Sequence, residues 1–252
     1  MRRDRDTIGA SDSVGNISMR TSRLKLAAFA ATLFVVGAGC SYAAEGGAGF
    51  YLLGSKGPAA GVTPPPGTYF QNDLYFYKGD LGGNRQLPTG GNVIAGVTGK
   101  AAIEIPTFIW VTPAEILGGQ LGFSASLPFG YKDVSADLAI SSPRFGGRSR
   151  GIDDDVFTLG DPLASSFIGW TTGDLHIQSG VLVNIPIGDY QDGELANIAF
   201  HHWGADIYTA ASYIDPTTGL DFSGTIGMTF NAENPATNYR TGDEFHAEWA
   251  IS

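Results

Sequence analysis

From Tyr69 almost to the C-terminus, apolar and polar residues alternate with a period of two. The cleanest run is 220–231, where Leu220, Phe222, Gly224, Ile226, Met228 and Phe230 share one face and Asp221, Ser223, Thr225, Gly227, Thr229 and Asn231 the other. Only an extended strand sends successive side chains to opposite faces, so this run predicts one. The split recurs at 117–129, with Leu121, Phe123, Ala125 and Leu127 against Gln120, Gly122, Ser124 and Ser126. At 174–185, Leu175, Ile177, Val181, Val183 and Ile185 oppose His176, Gln178, Gly180 and Asn184, and only Ser179 and Leu182 break the rule. At 245–251, Phe245, Ala247, Trp249 and Ile251 oppose His246, Glu248 and Ala250. Less regular strands are expected at 69–77, 103–111, 166–171 and 203–213. Clusters of turn formers at 79–84, 144–155, 188–193, 215–219 and 231–242 read as connections. The pattern predicts an all-β, antiparallel architecture of eight or nine strands.

Alternation fits a soluble β-sandwich with its apolar face inward as well as a membrane barrel with its apolar face outward. Three features favour the transmembrane β-barrel. Its polar faces are Gly, Ser, Thr, Gln and Asn with almost no Lys, which suits a crowded lumen. Runs of about 9–11 residues match a tilted strand crossing a bilayer. Aromatics gather near strand ends, among them Tyr69, Tyr77, Phe129, Tyr131, Trp170, Tyr190, Trp203, Tyr213 and Trp249, as interfacial girdles do. Composition agrees: charged residues are 16% of the chain, against about 25% in soluble domains.

The N-terminus predicts export. Arg20, Arg23 and Lys25 precede the uncharged stretch 26–44, which opens apolar and closes in small residues at Ser41-Tyr42-Ala43. This is the layout of a signal peptide spanning 1–44, cleaved near Ala43 or Ala44. Residues 1–18 lie upstream of Met19 and read as a start-codon overcall. Cys40, the only cysteine, sits in a Gly37-Ala38-Gly39 context that half resembles a lipoprotein site. Without residues 1–44 the chain has nine basic and 22 acidic residues, a net charge of −13. Such a chain lacks the clustered cations that phosphate neutralisation requires, which excludes a nucleic-acid partner. Residues 45–68 are Gly- and Pro-rich and, with Pro64-Pro65-Pro66, cannot form an element interior. They are expected to be a loop or plug before the barrel portion, 69–252.

Candidate chemistry is sparse. His201 and His202 are adjacent, so on a strand they point apart and cannot readily share a metal. Asp153, Asp154 and Asp155 lack the alternating oxygen ligands of a calcium loop and read as a solvated rim. Ser124 lies mid-strand, where a nucleophile elbow cannot form. No cofactor or metal is expected. If the apolar faces meet lipid, the lumen is lined by His176, Gln178 and Asn184, by Asp221, Thr225 and Thr229, and by His246 and Glu248. These are the candidate solute-contacting residues, and the last pair is the most costly to bury unsolvated.

Several strings resemble the family of proteins of the meta-pathway of phenol degradation. They are 47–55 (GAGFYLLGS), 63–67 (TPPPG) before 69–73 (YFQND), Gly160-Asp161-Pro162, 186–190 (PIGDY), 215–219 (DPTTG), 231–239 (NAENPATNY) and 242–246 (GDEFH). The resemblance implies an outer-membrane β-barrel, related in kind to channels that admit fatty acids and aromatic hydrocarbons. Relatives continue for several more strands and end on an aromatic, so a barrel ending at Ala250-Ile251-Ser252 is expected to be incomplete. The implied function is passive uptake of a small hydrophobic or aromatic solute across the outer membrane of a Gram-negative bacterium, in contact with outer-membrane lipid and inserted by the barrel-assembly machinery. The alternatives are an outer-membrane lipid-modifying hydrolase and a soluble or lipid-anchored β-sandwich binding protein.

Overall fold

The computed structural model describes residues 49–86, 92–142 and 146–252; the expected signal peptide, its cleavage site and Cys40 lie outside them. Among the described residues there is no helix, and twelve strands occur: β1 (Gly67–Gln86), β2 (Asn92–Ile116), β3 (Gly119–Ser126), β4 (Phe129–Ser142), β5 (Gly146–Leu159), β6 (Leu163–Thr172), β7 (Leu175–Asn184), β8 (Gly204–Ile214), β9 (Asp221–Asn231), β10 (Glu233–Asn234), β11 (Tyr239–Arg240) and β12 (Glu244–Ile251). Ten form one antiparallel sheet, curled and open, while β10 and β11 form a separate hairpin.

The pairing is an up-and-down meander once the breaks are recognised. β2 pairs β1 along one edge and, along the other, β3 through Thr107↔Ser126 and then β4 through Glu104↔Phe129 in unbroken register. β3 and β4 are therefore one pass interrupted at Leu127-Pro128. β5 and β6 form a second broken pass, pairing β4 and β3 respectively. Between Phe129↔Leu159 and Ser126↔Leu163, the two residues Leu127 and Pro128 face three, Gly160, Asp161 and Pro162. The extra residue makes a bulge, and such a bulge re-aims a side chain. Here it turns Asp161 inward, to 2% exposure. Counted by passes the sheet crosses eight times, within the range the alternation predicts. β1 pairs only β2, and β12 pairs only β9.

The clusters at 79–84 and 144–155 correct the sequence reading. Both were expected as loops, yet residues 79–84 continue β1 and residues 146–155 lie in β5. Turn-forming composition did not prevent pairing, because the ladder Ser142↔Gly146 to Phe129↔Leu159 supplies the backbone bonds. Passes on this side of the sheet outrun a bilayer crossing: β1 has 20 residues and β2 has 25, against 10 or 11 in β7, β8 and β9.

Connections differ between the two ends. At one, Leu117-Gly118 and Gly173-Asp174 close hairpins in two residues, and Leu117, Gly118 and Gly173 have positive φ, as tight hairpin turns require. At the same end the 215–220 turn is closed by Asp215, whose carboxylate accepts bonds from Thr217 N and Thr218 Oγ1, each at 2.8 Å. These bonds hold its pKa below the usual carboxylate value, Thr218 contributing most. At the other end are the long excursions 185–203 and 232–243. Short turns on one rim and long loops on the other are the transmembrane barrel arrangement.

Burial settles which face is which. On β9, Asp221, Ser223, Thr225, Thr229 and Asn231 are buried, while Phe222, Ile226, Met228 and Phe230 are exposed, Ile226 at 57%. β12 repeats this, with His246 buried and Phe245, Trp249 and Ile251 exposed. On β3, β6, β7, β8, β9 and β12 the outward positions carry no charged residue; Asp206, Asp221, His176, His246, Glu244 and Glu248 all sit on the inward parity. A soluble sandwich would show the reverse.

Ile226→Arg, at the centre of the outer face of β9, should destabilise the protein in vesicles by about 2–4 kcal/mol; a cost within about 0.5 kcal/mol in urea unfolding, as for a water-exposed site, would contradict this orientation. Asp161→Ala should raise protease cleavage within 185–203 and cost upward of about 3 kcal/mol, because four hydrogen bonds to a buried carboxylate disappear together. Unchanged cleavage would show that Asp161 does not hold that segment.

Candidate functional site

The polar inner faces meet residues 49–66, which run along the interior and end at β1. Phe50 is buried against Gly204, where an added Cβ would lie 2.2 Å from the ring, and sits edge-on to Phe200 at 6.5 Å. Tyr51 stacks on His246 with centroids 3.7 Å apart and donates a hydrogen bond to Glu248. Glu248 also accepts from Gly54 N at 2.6 Å. Lys56 Nζ donates to Gln178 Oε1 at 3.1 Å and lies 4.2 Å from the centroid of the Tyr208 ring. Burial pulls the Lys56 ammonium down to about 8, against Glu248 and Asp206, which hold it up.

Further along, Ala59 N donates to Asp221 Oδ2 at 2.6 Å and Gly61 N to Ser212 Oγ at 2.8 Å. Gly61 must be glycine: a Cβ there would lie 2.5 Å from the carbonyl oxygen of His176 and 2.7 Å from the amide of Ser212. Gln178 Nε2 donates to Thr63 Oγ1 at 3.1 Å. The segment thus uses its own amides and side chains to satisfy polar groups that the strands turn away from lipid, as buried polar groups require.

Beneath Tyr51 lies a buried pair. His246 Nε2 sits 2.7 Å from Asp206 Oδ2, which also accepts from Thr229 Oγ1 at 2.7 Å. Oδ1 of Asp206, Nδ1 of His246 and Oγ1 of Thr225 are buried without a hydrogen-bond partner. Gly227 makes room for the imidazole, since a Cβ there would meet Nε2 at 2.4 Å.

The loop 185–203 is held by Asp161. Its carboxylate accepts from Gly188 N at 2.9 Å, Phe200 N at 2.8 Å, His201 N at 2.9 Å and Asn184 Nδ2 at 3.1 Å. Asp154 Oδ2 adds a bond from Ala196 N at 2.7 Å. Between this loop, residues 49–53 and the inner faces of β1 and β2 lies a cavity of about 650 Å³, within the size range of small-molecule sites. Its apolar wall includes Tyr75, Tyr77, Ile103, Ile105, Leu163 and Ile198, and its polar side includes His246 and Lys132. Lys132 Nζ donates to Asn197 O at 2.8 Å.

All eight residues singled out from the sequence lie on the inner face, but not as one site. Gln178, Asp221, His246 and Glu248 touch the N-terminal segment. Thr229 bonds Asp206, and Thr225 has no partner. Asn184 serves the loop through Asp161 and the His202 carbonyl. The His176 imidazole pairs with Thr171 Oγ1 at 3.0 Å near the short-turn rim. His201 and His202 are loop residues, with His201 at φ +60° and stacked on Tyr190. Among the described residues no group of three or more His, Cys, Asp or Glu side chains is placed to hold a metal ion. Asp206, Tyr51, Lys132 and the organising role of Asp161 were missed. For Asp206 the signal was present but weak: Gly204, Asp206, Tyr208 and Ser212 alternate with Ala205, Ile207, Thr209 and Tyr213.

No curated protein and no solved structure matches the chain. One family model does, over residues 83–252, which takes in the end of β1 and all of β2 to β12. Both it and the barrel-like sheet with its apolar exterior point toward an outer-membrane location. The chain belongs to the family described as Putative MetA-pathway of phenol degradation.

Proposed function

We propose that the protein passes small hydrophobic or aromatic compounds passively across the outer membrane of a Gram-negative cell, after export by a signal peptide cleaved near Ala43 or Ala44. The observation that carries this reading is the cavity of about 650 Å³, walled by Tyr75, Tyr77, Ile103, Ile105 and Leu163 inside a sheet whose outer face is apolar. An apolar chamber behind polar luminal walls suits a solute that sheds water on entering. The family description, with its reference to phenol degradation, supports an aromatic solute. Residues 49–66 act as the plug: they cross the route and are held by hydrogen bonds to side chains that any passing solute must move past.

A lipid hydrolase would need a hydroxyl nucleophile activated by an inward histidine. Among the described residues His246 pairs with Asp206 but its Nδ1 meets no hydroxyl, and His176 meets the Thr171 hydroxyl without a bond to a carboxylate.

In proteoliposomes containing lipopolysaccharide, the full-length protein should carry para-nitrobenzyl alcohol faster than empty vesicles do. Tyr51→Ala should raise that rate about fivefold or more, because it removes one ring stack and one hydrogen bond from the plug. Flux no greater than in empty vesicles would sink the channel reading, and an unchanged rate in the variant would remove the plug from it.

A further inference from the structure

The charges of the interior are unequal. Six carboxylates sit buried or half-buried on the inner side: Asp154, Asp161, Asp206, Asp221, Glu244 and Glu248. Among the described residues they face two inward ammonium groups, Lys56 and Lys132, and three imidazoles, His176, His202 and His246. With the imidazoles neutral the balance is negative; Arg148 and Arg150 share the inward parity of Asp154 on β5 but are exposed.

Each of these acids accepts hydrogen bonds from protein donors: Asp221 from Ala59 N and Ser223 Oγ, Glu244 from Asn231 Nδ2, Glu248 from Tyr51 and Gly54, Asp161 from four N–H groups. Among the described residues no hydrogen bond joins two of them. Asp206 keeps Oδ1, at 0% residue exposure, without any partner. Both cations are already engaged, Lys56 with Gln178 and the Tyr208 ring and Lys132 with the Asn197 carbonyl.

A passage lined by low-dielectric walls and one sign of charge focuses its field along the route. Charge at the walls, more than width, then decides which of two solutes of equal size enters. From this imbalance we infer that the lumen is a charge-sign filter: it admits uncharged aromatic compounds and excludes the carboxylates of the same skeleton. The inference rests on the channel reading and deepens it, since it names the chemical class that can reach the cavity. It also implies that an aromatic acid is not the cargo.

The test uses three probes of one skeleton: para-nitrobenzyl alcohol, para-nitrobenzoate and the permanently cationic para-nitrobenzyltrimethylammonium. Their entry into proteoliposomes of the full-length protein is followed at neutral pH, with the membrane potential clamped to zero by valinomycin in symmetric potassium. The expected result is protein-dependent entry of the alcohol and of the cation, each at least about tenfold faster than the carboxylate at low salt. That advantage should shrink in about 1 M salt, where the screening length falls to about 3 Å. Equal exclusion of both ions would overturn the inference, because an apolar barrier and not the sign of charge would then be selecting. Carboxylate entry as fast as that of the alcohol would overturn it too, while leaving the channel reading intact. Entry of no probe above empty vesicles would contradict the channel reading itself, and the filter with it.

Discussion

A strand that crosses lipid can turn nothing outward that needs water, and every amide it carries must bond within the sheet. The rest of this structure depends on that constraint. It explains why the outward parity of β3, β6, β7, β8, β9 and β12 is free of charge, and why Asp206, Asp221, His246 and Glu248 point inward. It also creates a second demand, because polar groups gathered in a confined interior must find partners there. Two segments outside the ladders supply many of them: residues 49–66, which bond Glu248, Asp221 and Ser212, and the loop 185–203, whose amides converge on Asp161.

Glycine makes the second arrangement possible. Thirty-six glycines are present in the chain, and several on the inner face leave the space a bulky luminal group occupies. Gly204 admits Phe50, and Gly227 admits the imidazole of His246. The bulge at 160–162 has a comparable role, setting one additional residue into the pass so that Asp161 reaches the loop. Plug, loop and sheet are therefore coupled through a few buried polar contacts, and the cavity lies where the three meet.

Much of the fold was legible in sequence, though unevenly. The strands with the sharpest alternation, β7, β9 and β12, were found nearly to the residue, because lipid on one side and polar partners on the other enforce the period. The end of β1, the start of β2, and β4 and β5 as a whole were not read as strands. Beyond a bilayer crossing they can carry Gly79, Asp80, Asp153 and Asp155, which read as turns. The inner-face membership of all eight candidate residues followed from parity, but their partners did not. Tyr51 and His246 are almost two hundred positions apart along the chain and touch only because the first segment folds back inside. Asp206 was hidden by the small residues around it, which blur the contrast between the two faces of β8.

The central claim is that this sheet turns its apolar face to lipid, and the tryptophans test it most directly. The chain has four; Trp110, Trp203 and Trp249 are 48%, 55% and 81% exposed, and Trp170 shares the outward parity of Ile168 on β6. The measurement is quenching of tryptophan fluorescence in vesicles whose acyl chains are brominated. The account predicts strong quenching by the bromolipid and weak quenching by aqueous iodide. Quenching by iodide with no response to bromolipid would mean that these rings meet water, and that the protein is not a membrane barrel.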